Sequence, residues 1–143
     1  MRHKNFGRIW LPVFIVTLVL ETVGHMLTRS SLQANGLVPW VMQKSPATWA
    51  GPLVAALAAS LAFTYIFQQG YTGRGIGEGI RFGLWATLLA SVPWVLGLSS
   101  SLPIGRRIPC EFILIDLITL VAAGITAAAL AGSGTATQSA SAH

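Results

Sequence analysis

Residues 109–131 read PCEFILIDLITLVAAGITAAALA, and the fold turns on this stretch. Its only charged side chains are Glu111 and Asp116. As a helix rising 1.5 Å per residue it would extend roughly 35 Å, more than the ~30 Å hydrocarbon core of a bilayer. Working outward, three more stretches have the same character: 9–27, 47–67 after the helix-starting Pro46, and 80–98, where Pro93 should introduce a kink. The sequence therefore predicts an all-α polytopic membrane protein, four transmembrane helices in an antiparallel bundle. One transmembrane domain covers residues 1–131, and the Gly/Ala/Ser/Thr-rich tail 132–143 is expected to be disordered.

Composition points the same way. Of 143 residues 9% are charged and 53% hydrophobic, with a mean hydropathy of +0.66, whereas a soluble domain carries about 25% charged residues. The single cysteine, Cys110, excludes an internal disulfide, a CxxC redox motif and a multi-cysteine metal centre. The net charge of +5 reflects scarce acids, nine Lys and Arg against four Asp and Glu, and favours anionic lipid headgroups over nucleic acid. Glycines 73, 75, 77 and 79 alternate, so they form neither G-x-G-x-x-G nor a phosphate loop. No cofactor is expected, and a non-enzyme is the favoured class.

Arg2, Lys4 and Arg8 precede the first span, and no small-x-small cleavage site follows it, so it reads as an uncleaved signal anchor. With the N-terminus inside, the cytoplasmic side also receives Arg74 and Arg81, against Arg29, Lys44, Arg106 and Arg107 outside. Both termini are accordingly expected in the cytoplasm of a bacterial inner membrane. The first loop, residues 28–46, carries Leu37, Val38, Pro39, Trp40 and Val41, and should lie along the outer interface. Trp10, Trp49, Trp85 and Trp94 fall nearer span ends than centres, as aromatic belts do.

Residues 70–84, GYTGRGIGEGIRFGL, followed by Val92-Pro93 and Leu102-Pro103-Ile104, resemble a family of small four-helix bacterial inner-membrane proteins without an assigned activity. The resemblance covers about the third span and its flanks, and implies topology rather than chemistry. Small four-span multidrug exporters also carry a lone Glu in their first helix. The long first loop and Asp116 depart from their pattern, which leaves an architectural analogy.

Small residues mark helix faces. Gly75, Gly79 and Gly83 recur every fourth residue, Gly51, Ala55, Ala58, Ala59 and Ala62 line the second span, and Ala123, Gly124, Ala127 and Ala128 line the fourth. Such faces allow close approach of another helix, which predicts a compact bundle, a homo-oligomer or a membrane-protein partner alike.

The four acids carry the candidate chemistry. Glu78 and Arg81, a turn apart beside Arg74, are expected to form an interfacial ion pair, with Arg81 as a headgroup or substrate contact the sharper alternative. Glu21 lies eight residues before Arg29 and Asp116 eight after Ile108, so both sit ~12 Å below the same surface. His25 and Glu111 lie nearer that surface, Ser91 can reach the same half, and Thr119 shares a face with Asp116. Glu111 is also accounted for by the helix dipole two residues after Pro109. An acid at a span centre costs ~2.5–3.5 kcal/mol on insertion scales, so it needs a reason.

Three reasons fit the candidate site of Glu21, His25, Asp116 and Glu111. One is proton- or cation-coupled small-molecule transport through the carboxylate layer. A second is a metal site, though neither HExxH nor ExxH is present. The third is hydrogen-bond glue in a structural or assembly subunit of a membrane complex. An enzyme acting on lipid is the remaining class.

Overall fold

The computed structural model describes residues 6–34, 46–101 and 107–140. Four helices account for nearly all of them: α1 (Phe6–Ala34), α2 (Pro46–Gly70), α3 (Ile76–Ser101) and α4 (Arg107–Ala140). Only residues 71–75 lie outside a helix among the described residues. Each helix contains a segment long and apolar enough to cross a membrane. The interfacial segment expected around Trp40, and Pro103 and Ile104, lie outside the described residues. α1 itself runs seven residues past the expected limit of 27, because nothing between Thr28 and Ala34 breaks a helix.

Helix boundaries follow from local chemistry. Pro46 begins α2, where its missing N–H costs nothing. Between α2 and α3 the chain turns in residues 71–75, with Gly73 and Gly75 at φ of 89° and 78°, a region that side chains with a Cβ rarely enter. α4 continues to Ala140 with no proline after Pro109, so the stretch from Gly132 expected to be disordered is helical as far as that residue. Gly, Ser and Thr lower helix propensity but do not block propagation of a helix already nucleated by packing.

α3 is not uniform. It is α-helical over Ile76–Ala86 and Val92–Ser101 and π-helical over Thr87–Ser91, where the Val92 N–H donates to the Thr87 carbonyl. Pro93 follows directly, and its ring would strike the Leu89 carbonyl in a regular α-turn. The wider turn relieves that clash, so the irregularity expected at Pro93 falls one turn earlier as a π-bulge.

α4 is the hub, with α1 and α3 packed along it and α2 resting on α1. Gly79 of α3 sits against Gly124 of α4, and Gly83 against the backbone of Leu120 and Val121. Dispersion between closely approaching backbones holds this pair, since no Cβ stands between them. Gly24 makes the same allowance on α1, where Ile115 fills the space a side chain would take. Gly75, by contrast, is a turn residue with nothing near it, so the expected glycine face contains Gly79 and Gly83 only.

At one end all four helices contribute to a core of Ile9, Val13, Phe63, Phe67, Ala123 and Ala127, with Phe82 packed against it. Phe82 meets Phe63 and Phe67 edge to face at 5.0 and 5.3 Å between centroids, a favoured aromatic geometry. Trp10 Nε1 donates to Ser60 Oγ at 3.1 Å, tying α1 to α2. Farther along α2, Gly51, Ala55, Ala58 and Ala59 are exposed, so its small-residue face meets no other helix among the described residues.

Large apolar side chains are exposed around an interior that also holds hydroxyls. Leu89 (82% exposed), Trp94, Leu27 and Ile66 face outward, while Thr17, Thr28, Ser60, Thr64, Thr87, Ser91 and Thr119 are buried. Most of these hydroxyls satisfy themselves locally. Thr17, Thr28 and Thr87 donate to the carbonyls of Val13, Gly24 and Gly83, four residues back, at 2.8, 3.1 and 2.9 Å.

Candidate functional site

The buried line of α1 runs through Ile9, Val13, Thr17, Gly24 and Thr28, and Glu21 falls within it, four residues after Thr17 and three before Gly24. Gly24 lets α4 approach, which brings Glu21 toward the α4 face that carries Asp116 and Thr119. The π-turn of α3 presents Ser91 to the same place, and its hydroxyl donates to Asp116 Oδ2. Three helices thus meet in one polar layer of Glu21, Asp116, Ser91 and Thr119.

Within that layer the Glu21 carboxyl faces both Asp116 and Thr119. Ser91 is 5% exposed and Thr119 1%, whereas the two acids are partly accessible. The Thr119 hydroxyl lies beside Glu21 yet completes no hydrogen bond of good geometry. An unspent buried donor beside a carboxyl pair is a place for a water or for a rotated carboxylate oxygen. Such a pair can hold a proton between its members and pass it to a neighbouring hydroxyl or water.

The layer excludes two residues that the sequence grouped with it. His25 is exposed, and its ring meets the edge of Phe112 at 6.2 Å between centroids. Glu111 belongs to a separate contact, where its Oε1 accepts from Arg107 Nε at 2.6 Å and from Ser31 Oγ at 3.0 Å, linking the start of α4 to the end of α1. Five residues along a helix amount to about 140° of rotation, which puts Glu111 and Asp116 on different faces of α4. Among the described residues no three of His, Cys, Asp and Glu come together as a metal site requires.

Glu78 and Arg81 do not form the expected ion pair. Glu78 Oε1 accepts from the Thr72 N–H at 2.7 Å and the Thr72 hydroxyl at 3.0 Å, and Oε2 accepts from the Arg74 N–H at 3.0 Å. The carboxylate staples the 71–75 turn to the first turn of α3, because backbone amides at a helix start offer better geometry than a side chain one turn along. Arg81 is left exposed, with no hydrogen bond or ion pair among the described residues.

No family model matches this chain, and neither a curated protein nor a solved structure matches it.

Proposed function

We propose that the chain is a multi-pass integral membrane protein whose four spans form an antiparallel bundle, and that Glu21 and Asp116 handle protons in proton- or cation-coupled passage of a small solute. The observation that carries this reading is the carboxyl pair itself: two acids on different helices, facing each other among buried hydroxyls, in a chain with four acids in all. Outward-facing Leu, Ile and Trp around buried Ser and Thr support the membrane setting, because lipid rather than water suits that surface. The resemblance of residues 70–84 and the N-terminal Arg2, Lys4 and Arg8 support a bacterial inner membrane with both termini in the cytoplasm.

A lipid-soluble carbodiimide tests the pair, since it forms a stable acylurea only on carboxylic acids that carry a proton and lie within reach of lipid. In native membranes the adduct should map to Glu21 or Asp116, increase as pH falls, and vanish in Glu21→Gln/Asp116→Asn. An adduct confined to Glu78 or Glu111 would contradict the reading.

The alternative of a structural or assembly subunit has one observation in its favour. The exposed small-residue face of α2 around Gly51, Ala55 and Ala59 is shaped for another helix.

A further inference from the structure

Two clefts meet along α3 at Arg81 and Trp85. One, of about 520 Å³, opens beside the 71–75 turn and is lined by Arg74, Arg81, Tyr71 and Trp85. The other, of about 440 Å³, runs between α3 and α4 and is walled by Leu84, Leu88, Val92, Ile113 and Leu117. Both lie within the size range of small-molecule sites.

The first cleft is cationic. Arg81 has no partner among the described residues, and Arg74 on the turn lines the same cleft. Glu78 also lines this cleft, but both its oxygens are turned to the amides of Thr72 and Arg74 and the Thr72 hydroxyl. Those neutral donors orient the carboxylate without cancelling its charge, which acts on Arg74, so Arg81 is the guanidinium fork left to recognise a phosphate. The second cleft is apolar. From Arg81 to Val92 it follows α3 for roughly 16 Å, at 1.5 Å per residue. Trp85, 66% exposed, stands where the two join, a position an indole takes between polar headgroups and hydrocarbon.

A charged head and an apolar trough joined end to end match one class of molecule. We propose that α3 and α4 hold one anionic phospholipid, with its phosphodiester against Arg81 and an acyl chain along Leu88 and Leu117. This rests on the membrane setting above and is independent of proton handling at Glu21 and Asp116.

The test uses the full chain, purified in detergent and stripped of lipid, then titrated with phosphatidylglycerol or phosphatidylcholine of the same acyl chains and read by native mass spectrometry. Phosphatidylglycerol should bind preferentially. Arg81→Gln should weaken it about fivefold, the worth of one interfacial arginine, toward the phosphatidylcholine level. Leu88→Trp should weaken it by filling the trough while leaving Arg81 in place. Glycerol phosphate, the head without the chains, should not bind measurably at the same concentration. Equal retention of the two lipids, equal retention by wild type and Arg81→Gln, or glycerol phosphate binding as tightly as the lipid would overturn the proposal. Alkaline extraction of membranes keeps the two readings apart. A chain washed out by alkali contradicts the membrane setting, whereas one that stays but shows no lipid preference contradicts the lipid site alone.

Discussion

Ser91 and Thr119 set the terms for the carboxyl pair, because one hydroxyl is already given to Asp116 and the other remains available beside Glu21. Ser91→Ala should therefore lower stability by about 1 kcal/mol, read in a thermal or denaturant scan, by removing a donor to the half-buried Asp116. Amide and leucine replacements of the acids should separate. Glu21→Gln and Asp116→Asn keep shape and hydrogen bonding, and should leave membrane abundance nearly unchanged. Glu21→Leu and Asp116→Leu strand their partners, and should reduce abundance or thermal stability. Equal abundance and stability for amide and leucine variants would show that the layer contributes no hydrogen bonds. Counting residues from a common surface was enough to put Glu21 and Asp116 at one depth. It could not assign side-chain direction. Four residues on from Glu21, His25 drifts about 40° around α1 and leaves the layer, while Gly24 faces α4. Glu111 is drawn out of the layer by Arg107 one turn before it and by Ser31 of α1, and Glu78 turns from Arg81 to the Thr72 and Arg74 amides because the folded turn aims those donors at it, which sequence spacing does not reveal.

At the scale of elements, the α3–α4 contact depends on two glycines and the layer on one irregular turn. Gly79→Leu or Gly83→Leu should drive a side chain into the α4 backbone and disturb folding, measured as loss of monodisperse protein after extraction. Ala90→Leu, on the exposed side, should be tolerated, and equal tolerance at all three sites would place the glycines away from α4. Ala86 is a poorer control, since it packs against the core. Pro93→Ala should let residues 87–91 relax toward a regular α-helix and swing Ser91 away from Asp116. Its stability loss should match that of Ser91→Ala, and the two should not add. The spans were legible because apolar runs of the required length are bounded by charge, Pro or Gly. The π-turn was not, because a proline signals an irregularity without fixing whether the backbone kinks or widens. The small residues of α2 were equally opaque, since spacing identifies a face that permits contact and says nothing of whether a neighbour is present.

Over the whole molecule, exposed Leu, Ile and Trp and the packing of α1 and α3 along α4 make a helical bundle with apolar outer faces and a polar layer inside it. A reporter fused after Ala140 should register cytoplasm, and one inserted within residues 35–43 should register the opposite side. Both on one side would remove the four-span topology. The most direct test of proton handling is a pH jump across liposomes containing the purified chain, followed with an internal pH dye. Wild type should carry protons inward at a rate well above that of empty liposomes, and Glu21→Gln/Asp116→Asn, reconstituted in equal amount, should fall to the empty-liposome rate. Identical proton entry in wild type and the double amide variant would contradict the account and leave the carboxyl pair as hydrogen-bond glue in an assembly subunit.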